Sequence, residues 1–431
     1  HASVQYRCSI IRGWGMALLD DCRDSILDLL GNLLPKVNQD EVNAISTFLN
    51  MQMDQGKTTI TEKMLQVMGD FALQLWNEHS GAFTLSNGQQ WENDPVTCSL
   101  NCWPGELAYF WIERIRWRYI HDPGSWNGFD ADEKDAIHHF IEDEGDFSRP
   151  VWTALLVNIN MLHSLDKEDV ESWLFDLMGK AGTEFIWNSI LPNPNFNIRL
   201  IDIVFYKSCI DEFEYLSHLS EYKRQSFLLQ VFRMITYGEL KEKQRTRLLS
   251  KVVTVENGAY AALFMDQVAW AFEFRLDSKD RNMVWDLWLH QFIEDRHAGK
   301  RRNWGEEERV AFAKLVPLLG AHLKEGAEYL SDSFPKVTGH DLNETIMLDN
   351  IDCIPQECAE AFIAFYMRLF MQPGVFHVWK AGELLQKLAN KFGMDKVSPL
   401  ASLAKEKRII PDAWDFSPKK EIHSDGKEGE V

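Results

Sequence analysis

The sequence predicts an all-α protein built as an irregular, α-solenoid-like helical array. Apolar residues recur three and four positions apart along most of the 431 residues, which is the spacing of one helix face. Gly and Pro are scarce, 25 and 14 in number, whereas all-β chains need many tight turns. No repeat of fixed length recurs, so we expect the array to be irregular.

Helical patterns follow one another through the N-terminal half. The first covers residues 10–34 and ends at Pro35, because proline cannot continue a helix. Asn38 followed by Glu41 is the pattern of a capping box, which predicts that the next helix begins there and runs to about Met53. Further helices are expected over residues 61–77, 105–119, 130–142, 152–165 and 166–191.

Three segments depart from this pattern. Residues 80–104 are rich in Ser, Asn, Gly and Pro and are predicted to form a loop. Val252–Val255 is the best, and weak, candidate for a strand. Pro317 predicts a kink or a break. The helices expected in the second half cover residues 198–208, 211–218, 221–237, 239–252, 256–274, 279–298, 306–330, 355–371 and 375–392.

Two proline residues around Asn193 suggest a boundary between subdomains. We therefore predict an N-terminal helical subdomain over 1–194 and a C-terminal one over 195–417. Residues 418–431 are polar and charged and are expected to be a disordered tail. The sequence starts at His1 without a signal-peptide pattern, so we expect an internal cut in a longer protein.

The composition narrows the class of partner and the compartment. The net charge of −20 repels phosphate backbones, which disfavours nucleic acid as a partner. The seven cysteines contain no Cys-x-x-Cys pair, so free thiols in a reducing cytoplasm are expected. No apolar stretch is long enough for a transmembrane helix, so no membrane contact is expected.

One cluster of basic and aromatic residues is the candidate binding site. It consists of Arg296, Lys300, Arg301, Arg302 and Trp304. Cations interleaved with aromatic rings can bind phosphate groups, a nucleic acid strand or an acidic protein surface. The alternative is a helix C-terminus with favourable cations followed by a plain loop. We interpret the cluster as an interaction patch.

A metal site is the main alternative among the other motifs. His138 and His139 lie near Glu142, and side chains three and four apart share one helix face. These residues could serve a metal-dependent hydrolase, but no third ligand is evident. Solvated surface residues explain them as well, and we predict neither a metal nor a cofactor.

Two shorter motifs are interpreted as structural or accidental. Cys98 and Cys102 lack the second pair that a zinc site needs, and we expect two buried thiols. Gly56-Lys57-Thr58 is similar to the end of a phosphate-binding loop, but Met51 stands where the first glycine belongs.

Several long stretches together resemble a known family. They are IIRGWGMALLDD, ILDLLGNLL, MLQVMGDFALQLWNE, LNCWPGELAYFWIERIRWR, LLVNINMLHSLDKEDVESWLFDLM and VWDLWLHQFIEDRHAGKRRNWGEEERVAFAKLVPLL. Their order resembles a helical domain that lies C-terminal to a sirtuin-like domain in bacterial antiphage defence proteins. The resemblance covers residues 10–390. It departs from the family at Asn101–Gly105, where Pro104 is inserted.

The resemblance implies regulation and not catalysis for this chain. In that family the upstream sirtuin-like domain cleaves NAD, and the helical domain senses the trigger or restrains the enzyme. The implied partners are a phage or host protein trigger and the sirtuin-like effector domain, and homo-oligomerisation is left open. Asn350-Ile351-Asp352 matches a sirtuin tripeptide without the nucleotide fold and is treated as coincidence. A general helical scaffold unrelated to defence is the remaining alternative.

Overall fold

The computed structural model describes residues 3–16, 23–53, 60–84, 94–191, 213–337, 351–372 and 380–414. Every regular element within these ranges is a helix, so the all-α prediction is confirmed. The chain divides into two compact units, residues 1–208 and 209–431. The predicted boundary after residue 194 and the predicted tail lie outside the described residues. No helix in the described ranges has the length and apolar character that crossing a bilayer requires.

The first unit packs helices that are not always neighbours in sequence: α1 packs on α3, α3 on α6 and α6 on α8. Its described helices are α1 (Val4–Met16), α2 (Arg23–Leu33), α3 (Gln39–Gln52), α4 (Glu62–His79), α5 (Pro95–Leu100), α6 (Trp103–His121), α7 (Ala131–Glu142), α8 (Ser148–Val157), α9 (Ile159–Leu165), α10 (Lys167–Ala181) and α11 (Thr183–Ile190).

The second unit is also a helical array, in which α14 packs on α12 and on α17. Its described α-helices are α12 (Glu221–Tyr237), α13 (Glu242–Thr254), α14 (Ala259–Phe274), α15 (Ser278–Val284), α16 (His290–His297), α17 (Glu306–Leu315), α18 (Leu323–Tyr329), α19 (Ala359–Phe370), α20 (Ala381–Phe392) and α21 (Met394–Glu406). A single π-helical turn, Trp285–Leu289, joins α15 to α16.

Local capping explains where two of the helices begin. At α3, the Asn38 side chain accepts the Glu41 N–H at 3.1 Å, and the Glu41 carboxylate accepts the Asn38 N–H at 3.0 Å. Asp130 and Glu133 make the same reciprocal pair at the start of α7. Both boxes satisfy N–H groups that a helix start leaves without partners. The predicted start at Asn38 is confirmed.

A buried ion network then fixes α7 against α6. Arg118 Nη1 lies 2.5 Å from Glu133 Oε2, and Arg114 Nη1 lies 3.4 Å from Glu133 Oε1. Arg114 also pairs with Asp130 at 3.2 Å. Burial raises the pKa of Glu133 to about 6 despite the two guanidinium groups, because desolvation penalises its charged form. The capping box therefore also anchors two helices to each other.

The core of the first unit is centred on a fully buried tryptophan. Trp76 has no exposed surface, and its ring centroid lies 4.5 Å from Phe140, 5.0 Å from Phe147 and 5.9 Å from Trp103. Its Nε1–H donates to Asp143 Oδ2 at 2.9 Å. The indole thereby joins α4, α6, α7 and the start of α8 through both packing and a hydrogen bond.

Two predictions of local structure were wrong. Residues 95–100 form helix α5 instead of a loop: Pro95 occupies the first helical position, and Asp94 accepts the Thr97 N–H at 3.0 Å. Proline is favoured at that position because its missing N–H would have no partner there. Val252 and Val253 are buried in α13 and not in a strand. The predicted break at Pro317 is confirmed, since α17 ends at Leu315 and a 3₁₀ turn follows.

Candidate functional site

The predicted interaction patch lies mainly on a tight loop between α16 and α17, residues 298–305, which we call the basic loop. The helix ends in a Schellman motif. The Lys300 N–H donates to the Asp295 carbonyl at 2.9 Å, and the Gly299 N–H donates to the Arg296 carbonyl at 3.0 Å. Gly299 adopts φ +68°, a conformation that glycine reaches without steric cost. The chain therefore reverses sharply and brings its next residues back over the end of α16.

Arg296 lies beneath the basic loop and acts as its internal clamp. The prediction that Arg296 belongs to an exposed interaction patch was wrong. The side chain is 1% exposed. Its Nε and Nη2 lie 2.6 and 2.9 Å from the two carboxylate oxygens of Glu308, a bidentate pair. Nη1 also donates to the Lys300 and Arg302 carbonyls, and Nη2 donates to the Asn303 carbonyl. The N–H groups of Arg296 are engaged within the fold, and the side chain has no exposed surface that a partner could contact.

Two cations of the basic loop are presented to solvent. Lys300 is exposed, and its Nζ lies 2.7 Å from Asp295 Oδ1, a hydrogen bond that raises the pKa of Lys300. Arg301 is exposed at φ +69°. Within the described ranges, no carboxylate oxygen lies within 4.0 Å of the Arg301 guanidinium. Arg301 is thus the exposed guanidinium of the clamped loop.

Arg302 and Trp304 form the half-buried base of the basic loop. The Arg302 guanidinium lies directly against Gly258, where no Cβ would fit and where φ is +79°. The Trp304 ring lies 6.1 Å from His297 and 5.5 Å from Phe312, and it connects the loop to α16 and α17. Its backbone carbonyl accepts a hydrogen bond from Arg309 at 2.7 Å. These contacts hold both side chains near the surface in fixed positions.

The tryptophans upstream of the patch belong to the core. Trp285 and Trp288 are 2% and 3% exposed, so neither can stack on a partner. Trp288 donates to Thr236 Oγ1 at 3.2 Å. Among the patch residues and these two tryptophans, the structure brings Lys300, Arg301, Arg302 and Trp304 to or near the surface.

A histidine and aromatic cluster adjoins the basic loop and was missed from the sequence. Trp285 stacks with His290 and with His322, at ring distances of 5.5 and 5.4 Å. Glu325 lies 2.8 Å from His290 Nε2 and accepts the Trp285 Nε1–H at 3.2 Å. Tyr329 hydrogen-bonds to His290 at 3.0 Å. The π-helical turn that orients Trp285 and His290 has no sequence signature, so periodicity could not reveal this cluster.

The residues of the metal-site alternative do not converge. His138 Nε2 lies 3.3 Å from Asp169, whereas His139 Nε2 lies 3.5 Å from Asp143. The two imidazoles thus face different carboxylates. No group of three His, Cys, Asp or Glu side chains within the described residues could hold a metal ion.

Of the two shorter motifs, the structure describes only the cysteine pair. The residues of the Gly56-Lys57-Thr58 motif lie outside the described ranges. Cys98 and Cys102 are free and half-buried, and burial raises the pKa of Cys102 to about 12. Such a thiol is a poor nucleophile near neutral pH.

This pKa predicts a reactivity order for the described cysteines. At pH 8, about one Cys102 side chain in ten thousand is a thiolate, so the alkylation of Cys102 should be very slow. Cys353 is exposed and should react first. Peptide mass spectrometry after timed iodoacetamide labelling measures both rates. A Cys102 rate within roughly tenfold of the Cys353 rate would contradict the buried position of Cys102.

No protein-family model, curated protein or solved structure matches this chain. The resemblance to the sirtuin-associated helical domain therefore stays a prediction from the sequence.

Proposed function

We propose that this chain is a non-catalytic sensor and regulatory module of a bacterial antiphage defence protein acting in the cytoplasm. The basic loop recognises an acidic surface on a phage or host protein trigger. Recognition then controls a sirtuin-like NAD-cleaving domain attached to this chain. The family assignment comes from the sequence resemblance, and the choice of contact surface comes from the geometry of the loop.

The observation that carries the choice of surface is the rigid presentation of Arg301. The Arg296–Glu308 pair and the three backbone carbonyls below it fix the loop before any partner arrives. A preorganised loop loses little conformational entropy on binding. Arginine is also among the residues that contribute most to binding energy at protein interfaces. The loop therefore combines a charged contact group with a low cost of ordering.

The charge of the rest of the chain favours a protein over a nucleic acid. The net charge is −20, and a long polyanion would meet repulsion beyond the few cations of the loop. An acidic protein surface of limited extent can pair with Lys300 and Arg301 without coming close to the negatively charged remainder of the chain. Complementary charges of this kind mainly provide specificity and fast association.

The experiment that tests this proposal measures cellular NAD during phage infection. One strain carries the complete gene, including any sequence that precedes His1, and a second strain expresses residues 1–431 alone. We expect NAD to fall only with the complete gene. If protection persists while NAD stays constant in both strains, the link to a sirtuin-like domain is wrong. A fall in NAD with residues 1–431 alone would contradict the non-catalytic role.

A further inference from the structure

The segment that joins α6 to α7, residues 122–130, contains an Asn-Gly pair, Asn127-Gly128. We call this segment the α6–α7 loop. When glycine follows asparagine, the glycine nitrogen can approach the carbon of the asparagine side-chain amide more easily than in any other pair, because glycine has no Cβ to obstruct it. The pair is therefore a place where the chain can react with itself.

The surroundings of the pair leave both reacting groups accessible. Asn127 is exposed, and its side-chain amide has no hydrogen-bond partner among the described residues. The Gly128 N–H donates no hydrogen bond to any described residue either, so no such bond has to break before the nitrogen attacks. The pair also lies in irregular backbone, outside the hydrogen-bonded turns of a helix.

Contacts on both sides of the pair tie the α6–α7 loop to the junction of α9 and α10. The Trp126 Nε1–H donates to the Leu165 carbonyl at 2.8 Å, and the Phe129 N–H donates to Asp166 Oδ2 at 3.0 Å. Gly128, at φ +102°, lies so close to Asp166 that an added Cβ would be 2.5 Å from Oδ2. The backbone between Trp126 and Phe129 therefore has the length that its two anchors require.

We propose that Asn127-Gly128 is a site of spontaneous deamidation that loosens the first unit as the protein ages. The Gly128 nitrogen bonds to Cγ of Asn127, and the bond between Cγ and Nδ2 breaks. Ammonia leaves with the proton of the Gly128 N–H, and a cyclic imide remains. Water then opens the imide at either carbonyl carbon, so the products are an aspartate and an isoaspartate at this position.

The two products differ in their effect on the α6–α7 loop. Opening between the nitrogen and Cγ keeps the length of the main chain and adds one negative charge to an exposed side chain. Opening at the main-chain carbonyl carbon routes the backbone through Cβ and Cγ, which inserts one extra carbon between Trp126 and Phe129. The two anchors cannot both keep their present geometry, so the isoaspartate form should lose at least one hydrogen bond.

Asn257-Gly258 in the second unit offers a matched comparison. Its backbone belongs to the 3₁₀ turn Val255–Gly258, and Gly258 lies against the Arg302 guanidinium at φ +79°. A backbone held in this way cannot rotate to bring the nitrogen and the amide carbon together, so the reaction should be slow there. The remaining Asn-Gly pair, Asn87-Gly88, lies outside the described residues.

The test follows both pairs in the intact chain by mass spectrometry. The protein is aged in mildly alkaline buffer, either folded or in guanidinium chloride, and trypsin then releases peptides 119–134 and 252–275, each with a single asparagine. In denaturant we expect similar rates, since both pairs are Asn-Gly. In the folded chain, Asn127 should react roughly tenfold faster than Asn257 or more. Enzymatic methylation of isoaspartate identifies the product.

Thermal unfolding of the aged protein tests the consequence for stability. Ion exchange separates the deamidated forms, and the first unit of the isoaspartate form should melt roughly 2–8 °C lower than that of the unaged chain. Asn127→Asp adds the charge without lengthening the backbone and should melt like the unaged chain. Asn127→Gln should remain unmodified at this position, because the larger ring that glutamine would form closes far more slowly.

Three results would overturn this inference. Equal rates at Asn127 and Asn257 in the folded chain would show that the α6–α7 loop does not permit the reaction. A product without isoaspartate would exclude the cyclic imide. An isoaspartate form as stable as Asn127→Asp would contradict the loosening of the first unit. None of these results bears on the proposed function, because the basic loop lies in the second unit.

Discussion

Arg296→Ala should destabilise the second unit by about 3–5 kcal/mol, the usual cost of removing one partner of a buried ion pair. Arg296 and Glu308 are 1% and 4% exposed, so the substitution leaves a carboxylate buried without its cation. It also removes the donors of three loop carbonyls. Urea unfolding gives the free energy, and hydrogen exchange of peptides covering 298–305 should become much faster.

Two further variants test whether the loss of stability comes from breaking the Arg296–Glu308 pair. Arg301→Ala alters an exposed side chain and should change the free energy of unfolding by less than about 0.5 kcal/mol. The double variant Arg296→Met with Glu308→Leu removes both charges and should recover part of the lost stability. Equal stability of Arg296→Ala and Arg301→Ala would contradict the role of Arg296 as the clamp of the basic loop.

Trp76→Ala should destabilise the first unit by about 3–5 kcal/mol, since it opens a cavity where a whole indole was buried. The indole packs against Trp103, Phe140 and Phe147, and it holds the Asp143 carboxylate by its only N–H. Thermal unfolding measures the effect. In the alanine variant, the first unit should unfold at a lower temperature than the second unit.

The matched control in the same unit is an exposed aromatic residue. Phe175 is 55% exposed, and Phe175→Ala should change the free energy of unfolding by no more than about 0.5 kcal/mol. Trp76→Phe should fall between the two, because it keeps a ring but loses the hydrogen bond to Asp143. A Trp76→Ala variant as stable as Phe175→Ala would place the core of the unit elsewhere.

The sequence predicted well those features that depend on residues close in the chain. The capping pair Asn38 and Glu41 is three residues apart, so its pattern was sufficient to place the start of α3. The break at Pro317 follows from the geometry of proline alone. The all-α class follows from periodicity that most helices of the chain share.

Predictions failed where a packing environment decided the outcome. Val252 and Val253 favour strands by intrinsic propensity, yet both are buried on one side of α13. Helix α21 was not predicted at all and contains Pro399 in its interior. Tertiary contacts override local preference in such segments.

The candidate site shows the same limit. Arg296 and Lys300 are both basic and close in sequence, yet one is buried and the other exposed. Their difference depends on Glu308, which reaches Arg296 only because the chain reverses at Gly299. A cluster of basic residues in a sequence therefore does not show which of them face solvent, and the clamp could be identified only in the folded chain.

Charge reversal at Arg301 tests the central claim most directly. Cells carrying the complete gene with Arg301→Glu would be infected beside two controls, and NAD would be measured over time. The controls are cells with the unchanged gene and cells with Arg247→Glu, a charge reversal at an exposed arginine of α13. We expect Arg301→Glu alone to abolish or strongly delay the fall in NAD, with unchanged protein level and thermal stability. A normal fall in NAD with Arg301→Glu would contradict the role of the basic loop in recognising the trigger.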